Sequence, residues 1–64
     1  MKGKIKWFNF KKNYGFIVGE DCQDYFFHGS EKVKSFLPRE NDPVIFDVYD
    51  GSRGLQAKNV REQI

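Results

Sequence analysis

The side chains of this sequence that are best suited to bind a ligand are aromatic, and lysines are close to several of them in the sequence. The chain has 64 residues and contains seven Phe, three Tyr and one Trp. That is more rings than so small a domain can bury. A ring left on the surface beside a lysine can stack on a flat ligand such as a nucleic-acid base. The composition therefore favours a stacking surface.

The charge distribution is informative, although the net charge of +2 is modest. Five lysines precede the first acidic residue, Glu20, and most of the acids lie between Glu20 and Asp50. The N-terminal part of the chain is therefore locally basic. Lysines also keep a solvated strand face soluble and protect it from edge pairing, so charge alone leaves both interpretations open.

The residue inventory argues against an enzyme. One cysteine, Cys22, and one histidine, His28, cannot build a disulfide or a zinc site within one chain. The sequence has no phosphate-binding glycine loop, and Ser30 two residues after His28 does not make a catalytic triad. We predict a non-enzymatic protein with no cofactor, no metal and no small-molecule substrate.

The same inventory predicts a cellular location. An unpaired thiol fits a reducing compartment. Residues 1–12 carry five lysines, unlike a signal peptide, and no apolar run approaches the roughly 18 residues of a membrane span. We expect a cytoplasmic monomer with no membrane partner.

We expect these residues to lie on five short strands. The segments rich in aromatic and β-branched residues are Lys2–Asn9, Tyr14–Val18, Asp24–His28, Val44–Tyr49 and Gln56–Val60. Asp50-Gly51 followed by Gly54 indicates a hairpin, and Ser30 is the expected cap of a helical turn through Val33. The edges of such strands carry unpaired backbone N–H and C=O groups, which a closed sheet pairs. We therefore predict an all-β fold, a five-stranded antiparallel closed or partly closed barrel, as a single domain over residues 1–64.

Strand alternation assigns one face to solvent. Tyr14 and Phe16 share one side of the second strand. Phe26 and His28 share a side with Asp24, which would be costly to bury unpaired, so that side faces solvent. Placing consecutive strands side by side joins these rings with Trp7 on one face, with Lys6, Lys11 and Lys12 near its rim.

The opposite side supplies the predicted core. Its expected members are Ile17, Tyr25, Phe27, Val44, Phe46 and Val48. In the first strand Ile5 is the expected anchor. The adjacent Trp7 and Phe8 cannot both point inward unless a bulge intervenes, so at least one of these rings is exposed.

An exposed face of rings and lysines predicts a single-stranded nucleic acid as the partner. Rings stack on bases of any identity, and lysines follow the phosphates. Paired bases already stack on each other, so single-stranded RNA or DNA is the expected ligand. Two alternatives are a barrel that wedges apolar groups into the minor groove of a duplex, and a barrel that binds proline-rich peptides.

The sequence resembles the cold-shock domain family from Lys2 to Val60. The resemblance rests on Gly3–Asn9, Tyr14–Ile17, Asp24–His28 and Gly51–Val60, and Lys12–Phe16 and Tyr25–His28 are similar to the family's two ribonucleoprotein motifs. It implies an antiparallel barrel of the oligonucleotide-binding type. For bacterial members it implies an RNA chaperone and transcription antiterminator of the cold-shock response. The implied nucleic-acid surface comprises Lys6, Trp7, Lys12, Tyr14, Phe16, Phe26, His28, Phe36, Arg53 and Gln56.

The chain departs from the family pattern at several positions. Asn13 replaces a usual glycine, Tyr14 a phenylalanine, Gly29 an aromatic residue and Phe10 a small polar residue, and the loop over 31–43 is short. Asn tolerates the positive φ that a glycine position can require. At Gly29 two interpretations stay open. Either a stacking subsite is missing that phenylalanine would supply, or the backbone adopts a conformation closed to other residues.

Overall fold

In the computed structural model, which describes residues 1–51 and 54–63, the chain forms five strands. They are β1 (Lys2–Asn9), β2 (Tyr14–Gly19), β3 (Asp24–His28), β4 (Pro43–Gly51) and β5 (Gly54–Glu62). All five predicted strands are confirmed, and β1 and β3 have the predicted bounds. The last two are longer than predicted because they pair with each other from Val44 opposite Glu62 to Gly51 opposite Gly54.

The five strands close into a ring in the order β1-β2-β3-β5-β4, and β4 pairs back onto β1. This confirms the predicted five-stranded barrel. Neighbouring strands are antiparallel except for β3 and β5, which are parallel and meet at one pair of partners, Phe26 and Gln56. Closure gives each of the five strands a neighbour on both sides, which limits the unpaired edge that a chain with so small a core would otherwise have to protect.

The core lies inside this ring. It consists of Ile5, Ile17, Tyr25, Phe27, Phe36, Val44, Phe46, Ala57 and Val60, all at most 5% exposed. The predicted core members are confirmed with one exception. Val48 is 39% exposed, so its placement in the core was wrong. Only the start of β4, through Ile45, pairs with β1, and Val48 lies beyond that part.

A bulge in β1 separates the two adjacent rings. The register of β1 against β2 shifts between Ile5 and Trp7. Ile5 is 1% exposed, whereas Trp7 is 36% exposed. Phe8 packs against the core and stacks on Phe27, with 5.4 Å between ring centroids. The bulge therefore sends Trp7 outward while its neighbour contributes to packing.

The segment after β3 differs from prediction at its cap. The 3₁₀ helix spans Gly29–Glu31, and its N-cap is His28, whose side chain accepts a hydrogen bond from the Ser30 amide. The expected Ser30 cap with a turn through Val33 was wrong, because β3 ends at His28 and the helix begins at the next residue. Within residues 1–51 and 54–63, no helix has the length and apolar character needed to cross a bilayer.

Candidate nucleic-acid interface

Four aromatic rings form a closed cycle on the outer surface of β1, β2 and β3. We call Trp7, Tyr14, Phe16 and Phe26 the aromatic quartet. The strand register places Trp7 opposite Phe16 and Phe16 opposite Phe26. Centroid separations are 5.4 Å for Trp7–Tyr14, 5.2 Å for Trp7–Phe16, and 5.7 Å for both Tyr14–Phe26 and Phe16–Phe26. Each ring therefore supports two others.

The quartet is a surface feature. Trp7 is exposed, and the other three rings are half-buried. Their strand neighbours Ile17 and Phe27 point to the other side and are buried. Edge-on and tilted packing is the favourable arrangement for such rings. The packing fixes the rings in place but leaves apolar surface in contact with water, as the alternation in sequence predicted.

His28 extends this face at the end of β3, where it lies opposite Tyr14. Its Nδ1 accepts a hydrogen bond from the Ser30 amide at 3.2 Å. A ring nitrogen that accepts a hydrogen bond carries no proton. The N–H of the imidazole is therefore at Nε2. His28 lines a shallow depression with Lys12, Tyr14 and Phe26. It can present Nε2–H as a donor to a ligand in that depression.

Lys6 lies at the rim of the face in an ion pair. Its Nζ is 2.9 Å from Asp24 Oδ2, and both side chains are 49% exposed. Pairs this exposed stabilise a fold by about 0 to 1 kcal/mol. A phosphate can therefore replace Asp24 as the partner of Lys6 at little cost to the fold.

Lys12 reaches the face from the β1–β2 turn. Asn9 Oδ1 accepts hydrogen bonds from the amides of Lys11 and Lys12, both at 3.0 Å. Two such bonds to one side chain hold the turn in a defined shape. The turn therefore brings Lys12, itself exposed, to the depression between Tyr14 and His28.

The same turn explains the absence of a ring at Gly29. Asn13 has a φ of 59°, and its carbonyl accepts a hydrogen bond from the Gly29 amide at 2.8 Å. A Cβ built on Gly29 would lie 1.8 Å from Asn13 Oδ1. Gly29 does not have a positive φ. The interpretation that its backbone is closed to other residues was therefore wrong, and the obstacle is the Asn13 side chain.

The remaining predicted site residues are Phe36, Arg53 and Gln56, and their outcomes differ. Phe36 is 5% exposed and belongs to the core, so its placement on the binding face was wrong. The Val33 amide donates to the Val60 carbonyl, and the Phe36 amide donates to the Val33 carbonyl. These bonds hold the loop against β5, and the Phe36 ring is buried in the core. Arg53 lies outside the described residues.

Gln56 does continue the face, as the β5 partner of Phe26. Its side chain accepts a hydrogen bond from the Tyr49 hydroxyl. Sequence reasoning missed Leu55, which is 42% exposed and lines a depression with Phe16, Asp24 and Phe26. The predicted strand began one residue later, and no local pattern distinguishes this leucine from a turn residue.

The titratable groups with perturbed pKa values lie outside the quartet. The hydrogen bond from the Tyr25 hydroxyl lowers the pKa of Asp21 and raises the pKa of Tyr25. A hydrogen bond from Asn59 lowers the pKa of Asp47, with smaller contributions from nearby cations. Within the described ranges, no three His, Cys, Asp or Glu side chains are grouped so as to hold a metal ion. The groups that the face presents are aromatic rings, hydrogen-bonding side chains and lysines.

Comparisons with known proteins agree on one family. The model of the 'Cold-shock' DNA-binding domain matches residues 1–63. The chain is 47% identical to a cold shock-like protein, CspC, of Bacillus cereus over 64 residues, covering 94% of this chain and 95% of that protein. It is 49% identical to the major cold shock protein of Micrococcus luteus over 61 residues, covering 91% of each. A cold shock-like protein of Thermotoga maritima is 40% identical over 63 residues, covering 95% of this chain and 96% of that protein.

Proposed function

The chain belongs to the cold-shock domain family of nucleic-acid-binding domains, and we propose that it binds single-stranded RNA and DNA by stacking bases on the aromatic quartet. The observation that carries the proposal is the closed cycle of four partly exposed rings. None of the four rings belongs to the buried core, so core packing does not account for them. Binding of a ligand with flat apolar faces does account for them.

The residues around the quartet make the other contacts with the nucleic acid. Lys6 and Lys12 bind phosphates, and Lys6 exchanges Asp24 for the ligand. His28 donates from Nε2, and the side-chain amide of Gln56 hydrogen-bonds a base or sugar. Stacking and phosphate contacts do not depend on the identity of the base, so the protein binds many sequences.

The ligand is single-stranded because the quartet needs unpaired faces. Bases in a duplex stack on their neighbours and do not offer a free face to Phe16 or Phe26. Each stacked base contributes about 1 to 3 kcal/mol. Stacking is therefore the main source of affinity, and the few nearby lysines provide a smaller electrostatic part.

This binding mode supports a role as an RNA chaperone and transcription antiterminator in the cold-shock response. A base stacked on the quartet is unavailable for pairing, so bound protein holds RNA in a single-stranded form. The role requires no covalent chemistry, cofactor or small-molecule substrate. We propose that the protein acts as a monomer in the cytoplasm, a location that the unpaired thiol of Cys22 fits.

The test is a titration of Trp7 fluorescence, because Trp7 is the single tryptophan and belongs to the quartet. We expect saturable quenching by a short oligothymidine and weaker binding of a duplex. Duplex binding of equal or greater affinity would favour the minor-groove alternative and contradict the proposal. Quenching by a proline-rich peptide but not by the oligothymidine would favour the peptide alternative.

A further inference from the structure

Tyr49 lies on β4, which follows β3 and β5 in the ring, and it belongs to the same row of cross-strand partners as Trp7, Phe16 and Phe26. Trp7 is opposite Phe16, and Phe16 is opposite Phe26. Phe26 is the partner of Gln56 on β5, and Gln56 is the partner of Tyr49. The row therefore crosses all five strands, and a ligand leaving Phe26 in this direction meets Gln56 and then Tyr49.

The side chains at the end of this row hold one another. The Tyr49 hydroxyl donates to Gln56 Oε1. The ammonium of Lys58, the next outward residue of β5 after Gln56, lies over the Tyr49 ring at 5.5 Å from its centroid. Tyr49 is half-buried and Lys58 is exposed. One ring thus orients an amide and a cation at the surface.

Among residues 1–51 and 54–63, no hydrogen-bond acceptor is paired with Gln56 Nε2 or with the Lys58 ammonium. With Gln56 Oε1 bound to the tyrosine hydroxyl, the amide group has its Nε2 protons to offer. A Cβ on Gly51 would lie 2.6 Å from Gln56 Nε2, so the glycine makes room for the amide. A cation held over an aromatic ring keeps its charge and loses little further side-chain freedom when it binds an anion.

We propose that Tyr49, Gln56 and Lys58 form a second contact patch for the same single strand, beyond Phe26. Lys58 binds a backbone phosphate, and Gln56 Nε2 donates to an acceptor of the strand. Tyr49 is the positioning residue for both. The inference rests on the proposed function. The occupant follows from the continuity of the row with the quartet and from the charge of Lys58, whose cross-strand partner Asp47 already accepts a hydrogen bond from Asn59.

Oligonucleotide length separates the patch from the quartet. Oligothymidines of about four and about eight nucleotides lie within the range of site sizes for this fold. With the longer one, Lys58→Gln should lower the affinity about three-fold and reduce the logarithmic salt slope by about 0.7, the value for one phosphate. The shorter one should bind both proteins equally. Arg61→Gln is the matched control, because it removes one positive charge from the same strand, three residues beyond Lys58.

Two variants of Tyr49 test the positioning role. Tyr49→Phe keeps the ring under Lys58 and loses the hydrogen bond to Gln56, so it should keep the wild-type salt slope and lose affinity for the longer strand. Tyr49→Leu should lose affinity for the longer strand by a larger factor. If Lys58→Gln and Arg61→Gln behave alike, or if both lengths lose affinity equally, the second patch is wrong. If the wild type binds neither length, the proposed function itself is wrong and the patch fails with it.

Discussion

The side chain of Asn13 fills the space that a side chain on Gly29 would need, with Asn13 Oδ1 1.8 Å from the position of a Cβ on Gly29. The two residues are also joined through their backbones, because the Gly29 amide donates to the Asn13 carbonyl. Asn13 and Gly29 are two of the positions where the chain departs from the cold-shock pattern. The two departures are therefore structurally linked, because the Asn13 side-chain amide fills the space next to position 29, where the family usually has an aromatic residue.

Gly29→Phe by itself should destabilise the fold. The new side chain forces the exposed Asn13 side chain to turn away, and because a surface side chain can move at little cost, we expect a loss of under about 1 kcal/mol. The double variant Asn13→Gly/Gly29→Phe should recover most of the stability, since glycine readily adopts the φ of 59° at position 13. Thermal unfolding of both variants checks this. Equal melting of the single variant and the wild type would show that the clash is relieved without cost.

The double variant should also bind more tightly than the wild type. An added ring beside His28 supplies one more stack, about 1 to 3 kcal/mol, for an oligonucleotide long enough to reach it. Asn13→Gly alone is the control, because it opens the space without adding a ring. No gain over that control would mean that the ligand does not pass Gly29.

Phe26→Ala and Ile17→Ala should have opposite effects. Phe26 is half-buried in the quartet, so its loss should cost about 1 to 3 kcal/mol of binding and leave stability little changed. Ile17 is 0% exposed, so its truncation should lower the free energy of unfolding by about 2 to 5 kcal/mol. Urea unfolding and oligothymidine titration measure both quantities. If Phe26→Ala unfolds as readily as Ile17→Ala, the quartet belongs to the core.

Asp24→Asn should strengthen binding at low salt. The substitution frees Lys6 from its ion pair and removes a carboxylate from the edge of the binding face. The logarithmic salt slope should become more negative, by at most about 0.7 if Lys6 gains one phosphate. Glu20→Gln is the control, since it removes one negative charge from an exposed residue next to the end of β2. If both variants gain affinity equally, the effect comes from the change in net charge and not from the release of Lys6.

The Tyr25–Asp21 hydrogen bond should make stability depend on pH in the acid range. It lowers the pKa of Asp21 below the ordinary value of 3.8, so its contribution is fully present above that pH. The contribution is lost as the pH falls through the lowered pKa and Asp21 is protonated. Tyr25→Phe should therefore be less stable at neutral pH and lose less on acidification. Urea unfolding midpoints of both proteins between neutral pH and pH about 2 test this. An equal loss of stability on acidification in the variant and the wild type would contradict it.

The local properties of this protein could be predicted from its amino-acid sequence. Alternation within each strand put Phe16 and Phe26 outside and Ile17 and Phe27 inside, because successive side chains of a strand point to opposite faces. The adjacent Trp7 and Phe8 required a bulge or an exposed ring, and the structure has both. The ordered motifs were sufficient to identify the family.

The contacts between distant segments could not be predicted from the sequence and became clear in the folded chain. Phe36 is in the core because the loop before β4 hydrogen-bonds to Val60, and Tyr49 joins the quartet's row because β3 and β5 meet at Phe26 and Gln56. The contact between Asn13 and Gly29 likewise joins the β1–β2 turn to the end of β3. A local pattern specifies the face of a strand, but the register between distant segments is set when the barrel closes. Contacts that depend on closure therefore have no signal in any one stretch of sequence.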